Sequence, residues 1–189
     1  MVRKPVVLRR YFDGKSGNWK TVVLISLLLL ACPRPSQAQF SLWLVEKRLD
    51  LKYPVNHMKH EVLAEALASN RDSDFLLFDI RAREEYDVSR IDGAVWVDPE
   101  MSEEEFIKTY GGAVKGKHLV FYCSVGDRSS RFLMQVLDPA LAAGALSLSN
   151  LRGGIFRWVN EDHPVVNQNG KTDAVHPYDE EWGKLLKKR

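Results

Sequence analysis

The stretch His118-Leu-Val-Phe-Tyr-Cys123-Ser-Val-Gly-Asp-Arg128-Ser129 joins an apolar run, one thiol and a short polar loop. The run before Cys123 predicts a buried strand, and the apolar pattern that resumes after Ser129 predicts a helix. Cys123 is therefore expected at the carboxyl end of a strand, facing the amino end of the next helix. Because free N–H groups and the helix dipole favour anions there, we expect a sulfur that is largely the nucleophilic thiolate.

Strand-like and helical segments alternate along the chain around this loop. Short apolar runs predict further strands at 75–79, 93–97 and 145–148. Capped or amphipathic segments predict helices at 57–69, 102–110 and 129–137, and one more after 153–154. This order predicts an α/β fold with a central parallel sheet and helices on both faces. Ligands bind at the carboxyl strand ends of such sheets, where Cys123 is expected.

The composition indicates one globular domain with an uneven charge distribution. The 189 residues suit a single domain, and 45% hydrophobic with 28% charged residues is typical of a folded protein. The net charge is +2, but residues 1–38 hold seven of the 27 basic and one of the 25 acidic residues. Residues 39–189 therefore carry 20 basic and 24 acidic residues. This slightly acidic body argues against nucleic-acid binding, which needs a basic face.

Residues 1–38 have the pattern of a secretory signal. Basic residues precede an apolar run at 21–31, and Ser36-Gln37-Ala38 offers small residues for cleavage. The run is shorter than the roughly 20 residues that cross a bilayer as a helix. A cleavable signal peptide is the first interpretation, with an uncleaved membrane anchor and a buried helix as alternatives. We therefore expect an exported protein, either periplasmic or anchored by its N-terminus and facing the extracytoplasmic side of a membrane.

The first cysteine, Cys32, lies within this N-terminal segment. Leu29-Leu30-Ala31-Cys32 resembles a bacterial lipoprotein box, so lipidation of Cys32 is one reading. The alternative is an ordinary apolar residue of the signal core. If cleavage follows Ala38, Cys123 is the one cysteine of the mature chain, and a lone thiol in an exported protein is reactive or intermolecular.

Three stretches, in order, resemble the rhodanese (sulfurtransferase) homology domain. They are Asp79-Ile-Arg81-Ala-Arg-Glu84-Glu85-Tyr86 continuing to Ala94, Phe121-Tyr122-Cys123 with Arg128-Ser129, and Leu151-Arg152-Gly153-Gly154 continuing to Trp158. The family usually has His where this chain has Arg90. On this basis we divide the chain into a signal peptide or anchor (1–38), a linker (39–56), a rhodanese-like domain (57–167) and a C-terminal tail (168–189).

The resemblance implies a persulfide mechanism on a rhodanese-like parallel sheet. Cys123 would be the catalytic nucleophile, with Asp79 and Arg81 structural near the site. The loop that would hold the anionic sulfur consists of Ser124, Val125, Gly126, Asp127, Arg128 and Ser129. Four residues separate Cys123 from Arg128, which is the length in sulfurtransferases of this fold. Related phosphatases have a loop one residue longer, which disfavours phosphate as substrate here.

Two side chains of this loop, those of Arg128 and Asp127, each allow two interpretations. Arg128 either binds the anion or is a structural ion-pair partner of Asp79 or Glu84. Asp127 either points outward into solvent or points inward, where it would repel a dianionic donor such as thiosulfate. No cofactor and no metal are expected: His57 and His60 share one helix face, but two ligands do not make a metal site.

Two functions of different class follow. The first is a sulfurtransferase that takes sulfur from thiosulfate or another sulfane-sulfur donor and passes it through Cys123 to a thiol or to cyanide. The alternative is a non-catalytic rhodanese-fold binding or regulatory module. The intact loop from Cys123 to Arg128 favours the enzyme. No nucleic-acid partner is expected, and association with a membrane would run through the N-terminus.

Overall fold

The computed structural model describes residues 37–69 and 72–187. Cys32 and nearly all of the predicted signal peptide or anchor lie outside these residues. Within the described ranges, no helix combines the length and the apolar character needed to cross a membrane.

The chain folds into an α/β unit around a five-stranded parallel sheet. Its helices are α1 (Gln37–Lys52), α2 (His60–Ala68), α3 (Arg83–Val88), α4 (Glu103–Val114), α5 (Asp127–Ala142), α6 (Gly154–Asn160) and α7 (Glu180–Gly183). The sheet is built from β1 (His57–Met58), β2 (Phe75–Asp79), β3 (Val95–Trp96), β4 (His118–Tyr122) and β5 (Ser147–Leu151). A separate antiparallel hairpin follows, β6 (Val165–Asn167) with β7 (Gly170–Thr172).

Strand β4 is the central strand of the sheet, whose order is β1-β5-β4-β2-β3. It pairs in parallel with β2, where Tyr122 is opposite Asp79, and with β5, where Phe121 is opposite Asn150. Because all five strands run the same way, their carboxyl ends share one edge. Cys123 directly follows β4 and so lies in the middle of that edge, where the α/β pattern predicts a ligand site.

Each face of the sheet has its own hydrophobic core. Alternate residues of β4 point to opposite faces: Val120 and Tyr122 pack with α1, α2 and α6, whereas Leu119 and Phe121 pack with α4 and α5. All four side chains are fully buried. A strand buried on both faces needs a continuous apolar run, which is the pattern that predicted it. The predicted fold class is therefore confirmed.

Several predicted boundaries differ from the structure. The predicted linker 39–56 contains most of helix α1, because Leu42, Leu49 and Glu46 lie on one helical face that is buried against the domain. Residues 57–58 form strand β1 rather than the first turn of a helix. Helix α5 continues beyond Pro139 to Ala142, since Ala140 is completely buried and packing outweighs the cost of the proline.

The C-terminal residues are part of the folded unit. Leu185 is buried in the core on the α6 face, and Trp182 and Leu186 pack against it. The side-chain amide of Asn160 donates a 2.7 Å hydrogen bond to the carbonyl of Leu185, and its oxygen accepts one from Lys187 N–H at 2.7 Å. Tyr178 and Trp182 of the same segment lie beside Cys123 at the edge of the sheet.

Candidate active site

Cys123 lies between strand β4 and helix α5 and is only 1% exposed. Its Sγ accepts a 3.2 Å hydrogen bond from the backbone N–H of Gly126. Gly126 is the residue before α5 and has a φ of +108°, a conformation that side chains rarely adopt. A Cβ there would also lie 2.9 Å from the Asn150 amide nitrogen. Glycine at this position therefore allows the tight turn that brings an N–H to the sulfur.

The N-terminus of α6 holds the loop from the other side. Ile155 N–H donates to the Cys123 carbonyl at 2.9 Å, and Phe156 N–H donates to the Ser124 carbonyl at 3.0 Å. The N–H and C=O of one trans peptide point in opposite directions. The N–H groups of Ser124 and Val125 therefore point away from α6, and neither donates to another group in the described part of the chain.

The first turn of α5 adds further free donors beside the sulfur. Its first intrahelical hydrogen bond runs from Ser130 N–H to the Gly126 carbonyl at 3.2 Å. The N–H groups of Asp127, Arg128 and Ser129 therefore lack intrahelical partners. Together with the dipole of a 16-residue helix, these donors favour negative charge at Cys123. The loop can thus hold an anionic sulfur species.

Arg128 is fixed by a buried carboxylate, Glu85 of helix α3. Its guanidinium donates to the two Glu85 oxygens at 2.6 and 2.9 Å and to Ser124 Oγ at 3.0 Å. Ser124 Oγ in turn donates to Glu85 at 2.7 Å. The predicted partners Asp79 and Glu84 are thus wrong: Asp79 is paired with Arg81, and Glu84 lies on the exposed side of α3.

The charges of this pair are mutually stabilised. Burial alone would raise the pKa of Glu85, but hydrogen bonds from Arg128 and Ser124 outweigh burial and lower it. Burial also disfavours the charged Arg128, yet the hydrogen bonds to Glu85 and the nearby Cys123 sulfur raise the pKa of Arg128 above its ordinary value. Both groups are therefore ionised at neutral pH, and Arg128 presents a fixed positive charge near the thiol.

Asp127 is directed towards the end of helix α1. Its carboxylate accepts hydrogen bonds from Lys52 Nζ at 2.8 Å and from the Tyr53 hydroxyl at 3.1 Å. The hydrogen bond to Asp127 raises the pKa of Lys52. The carboxylate is 42% exposed and its charge is compensated by Lys52. The repulsion expected of an inward-pointing, unpaired acid is therefore reduced.

Asp79 and Arg81 form a fully buried ion pair at the end of β2. Arg81 donates to both Asp79 oxygens, the shortest distance being 2.6 Å. The Tyr122 hydroxyl beside them accepts a hydrogen bond from Ile91 N–H at 3.2 Å, and burial raises the pKa of Tyr122 well above its ordinary value. Arg90 lies over the Tyr86 ring, 4.7 Å from its centroid. These residues brace the neighbouring strand end rather than the sulfur.

A cavity of about 300 Å³ opens onto Cys123. One wall is the loop itself, and the other walls come from helix α1 and from the C-terminal segment. Its lining residues are Val45, Arg48, Leu49, Lys52, Cys123, Ser124, Val125, Asp127, Arg128, Tyr178 and Trp182. Among the residues that the structure describes, no cluster of His, Cys, Asp and Glu could hold a metal ion.

The family described as Rhodanese-like domain matches residues 61–161, more than half of the chain. The chain belongs to the rhodanese-like family. A comparison with curated proteins found no match.

Solved structures share the rhodanese-like fold. The BH2092 protein of Bacillus halodurans is 18% identical, with a TM-score of 0.54 over 74% of this chain and 96% of that one. A thiosulfate sulfurtransferase from Pseudomonas aeruginosa is 19% identical, with a TM-score of 0.49 over 67% of this chain and 23% of its own. An As-Sb reductase from Leishmania major is 22% identical, with a TM-score of 0.49 over 57% and 80%. At such identities the likeness concerns the fold alone.

Sequence reasoning grouped the residues from Cys123 to Ser129, which the structure divides between a short loop (124–126) and the first turn of α5 (127–129). It missed Glu85, the partner of Arg128, because a second acid beside it, Glu84, carried the same charge. It also missed Gly154 as a site residue: a Cβ there would collide with the Cys123 carbonyl oxygen and lie 2.7 Å from that of Ser124. The cavity walls from α1 and the C-terminal segment were missed as well, since both were assigned to a linker and a tail.

Proposed function

We propose that this rhodanese-like protein is a sulfurtransferase that carries sulfane sulfur as a persulfide on Cys123. The observation that carries the proposal is the 3.2 Å hydrogen bond from Gly126 N–H to Sγ, beside the N–H groups of Ser124 and Val125, which have no partner among the described residues. Such donors stabilise a thiolate before transfer and a persulfide anion after it.

The chemistry takes two steps, neither of which needs an external oxidant. The Cys123 thiolate attacks the outer sulfur of thiosulfate, so that the S–S bond of the donor breaks, sulfite leaves and Cys123–S–S⁻ forms. A thiolate or cyanide then attacks the outer sulfur of the persulfide, which releases the Cys123 thiolate and a new persulfide or thiocyanate. Total charge is conserved in both steps.

Export is the second part of the proposal and rests on the sequence of residues 1–38. A basic segment, an apolar run and small residues before Gln39 support a secretory signal. The reaction would then take place outside the cytoplasm. The sulfur acceptor would be a thiol or cyanide, and Cys32 would carry a lipid if the N-terminus is processed at that residue instead.

Intact mass spectrometry of protein from cells tests both parts. After incubation with thiosulfate, we expect the mass of one added sulfur, its loss on addition of cyanide, and no addition in Cys123→Ser. A folded protein that gains no sulfur from any sulfane donor would instead be a non-catalytic rhodanese-fold binding module. The same spectrum gives the N-terminus: an unprocessed, unmodified chain in exported fractions contradicts a cleaved signal.

A further inference from the structure

The cavity above Cys123 is built largely by residues outside the family match. Two parts of the chain, here called the flanking segments, are residues 37–60 and 162–187. They contribute most of its walls: Val45, Arg48, Leu49, Lys52, Tyr178 and Trp182. The catalytic loop supplies the floor. The size and chemistry of this space therefore depend on the flanking segments as well as on the matched region.

The cavity is larger than the simplest sulfur donor requires. Its volume is about 300 Å³. Thiosulfate has only five heavy atoms and would leave much of this space to water. Pockets that bind organic ligands begin at about this volume. The space above Cys123 thus has room for a donor with an organic body.

Four of the six wall residues from the flanking segments are apolar or aromatic. Leu49 of α1 is buried, and Val45 lies one turn before it. Tyr178 and Trp182 face them from the C-terminal segment, and the Arg128 guanidinium lies 4.9 Å from the Tyr178 ring centroid. Apolar side chains and ring faces bind an aryl or alkyl group by excluding water.

Tyr178 is held in a conformation that a non-glycine residue rarely adopts. Its φ is +68°, and its N–H donates to His176 Nδ1 at 3.0 Å. The next turn is capped by Asp179, which accepts from Trp182 N–H at 2.8 Å. Such backbone strain costs free energy and is concentrated at functional sites. Here the strained turn places the rings of Tyr178 and Trp182 in the wall of the cavity.

The charges of the cavity suit a monoanion. Of its three cations, Arg128 is paired with Glu85 and Lys52 with Asp127. Arg48 forms no ion pair within residues 37–69 and 72–187. One uncompensated cation, added to the loop N–H groups, matches a donor with a single negative charge better than a dianion.

We propose that the flanking segments select an organic thiosulfonate, R–SO₂–S⁻ with an aryl or larger alkyl R group, as sulfur donor in preference to thiosulfate. This inference rests on the proposed function. The Cys123 thiolate attacks the outer sulfur, the S–S bond of the donor breaks, the sulfinate R–SO₂⁻ leaves, and Cys123–S–S⁻ forms. The R group packs against Leu49, Tyr178 and Trp182.

The test compares two thiosulfonates, which share one reactive group, with each other and with thiosulfate. Rates of persulfide formation on Cys123 are measured with benzenethiosulfonate, methanethiosulfonate and thiosulfate, each divided by its rate with a small thiol free in solution. We expect the normalised kcat/KM for benzenethiosulfonate to exceed that for methanethiosulfonate at least about tenfold. Equal normalised values for the two thiosulfonates, or a higher value for thiosulfate, would overturn the inference and leave the proposed function standing.

Substitutions test whether the flanking segments cause the preference for benzenethiosulfonate. Trp182→Ala and the more exposed Tyr178→Ala should each bring the two thiosulfonates to within about threefold of each other. Trp43→Ala removes an exposed tryptophan of α1 outside the cavity and should leave the preference intact. Arg48→Gln should lower the rate with both thiosulfonates alike, whereas Lys47→Gln should not. A preference that survives both aromatic variants contradicts the assignment.

A binding measurement separates this inference from the proposed function. Benzenesulfinate and methanesulfinate, the two leaving products, are titrated by calorimetry into Cys123→Ser, which cannot transfer sulfur. Tighter binding of benzenesulfinate by Cys123→Ser that is lost when Trp182→Ala is added to it supports the aromatic pocket. This holds even if no donor modifies the wild-type protein. Equal binding of the two sulfinates contradicts the pocket, whatever the transfer assay gives.

Discussion

The region matched to the family, residues 61–161, and the two flanking segments build the site by different means. The matched region positions Cys123 through backbone hydrogen bonds and buried ion pairs: Gly126 N–H to the sulfur at 3.2 Å, and Arg128 to Glu85 at 2.6 Å. The flanking segments surround the cavity with partly exposed side chains, of which Tyr178 is 50% exposed. The groups that position the sulfur and the side chains that form most of the cavity walls are thus separated along the chain.

Two ion pairs, one from α6 and one from the residue after β5, join helix α1 to the matched region. Arg157 of α6 donates to Glu46 of α1 at 2.8 Å, and Arg152 donates to Asp50 at 2.6 Å. Burial alone would lower the pKa of Arg157, but the hydrogen bond and charge of Glu46 raise it. The stretch from Leu151 to Trp158 therefore both supports the loop of Cys123 and anchors helix α1. A substitution in this stretch should therefore affect both the matched region and the flanking segments.

The largest effect is expected from Gly154→Ala in the matched region. Gly154 has a φ of +55°, and a Cβ would collide with the Cys123 carbonyl. We expect the free energy of unfolding to fall by about 2–4 kcal/mol. Displacement of the loop should also slow persulfide formation at least about hundredfold. Denaturant unfolding and the mass-spectrometric rate measure the two effects.

Gly112→Ala is the matched control for that substitution. Gly112 lies in helix α4, where a Cβ meets nothing within 4 Å. Alanine there should stabilise the protein by about 0.5–1 kcal/mol and leave the rate unchanged. A Gly154→Ala protein with wild-type stability and rate would show that α6 does not set the geometry of the loop.

A smaller effect is expected from Glu85→Gln. The glutamine keeps the shape of the side chain but loses the charge that holds Arg128 in two hydrogen bonds. We expect persulfide formation to slow by about 10- to 30-fold, with kcat more affected than KM because Glu85 does not line the cavity. Glu84→Gln, one residue away and exposed, should match the wild type. Equal rates in both variants would show that fixing Arg128 is irrelevant to transfer.

The parts of the fold that depend on local pattern could be predicted from the sequence. Strands β2 and β4 are apolar on both faces, so their runs of Leu, Val and Phe were unambiguous. The loop after Cys123 followed from the same pattern, because a strand and a helix fix both of its ends. Helix α5 was predicted too short, since Pro139 suggested an end that buried packing overrides.

The parts that depend on distant partners could not be predicted. Nothing local distinguishes Glu85 from Glu84, since the choice depends on where Arg128 of another element lies. Helix α1 has a weak hydrophobic pattern with a buried acid, Glu46, on its inner face. That acid is acceptable only because Arg157, more than a hundred residues later, neutralises it. The cavity walls were missed for this reason.

The smallest expected effect concerns pH at the junction of the two regions. His57 of β1 lies between Asp50 of α1, at 3.7 Å, and the Asn150 amide of β5, at 3.2 Å. Burial lowers the pKa of His57, although the nearby Asp50 raises it and Arg152 lowers it further. Folding therefore favours the neutral imidazole, and the junction is formed around an uncharged ring.

The sign of the pH dependence follows from that depressed pKa. The unfolded chain binds the proton near pH 6.5, whereas the folded chain binds it only at lower pH, so stability is complete above 6.5 and falls as the pH drops. The loss from one histidine between pH 6.5 and pH 5 is at most about 2 kcal/mol. His57→Asn should reduce this loss, as should His60→Asn, because burial also lowers the pKa of His60.

Hydrogen exchange distinguishes the two histidines by their positions. His60 lies 5.5 Å from His163, ring to ring, and has no partner in α1 among the described residues, whereas His57 faces Asp50 of α1 directly. Lowering the pH from 7 to 5 should therefore reduce the protection factors of the α1 amides in wild type and His60→Asn, but less in His57→Asn. Since α1 forms a wall of the cavity, the preference for benzenethiosulfonate should decline with the same pH dependence. Protection of α1 that is independent of pH in all three proteins would show that protonation of His57 does not weaken the junction.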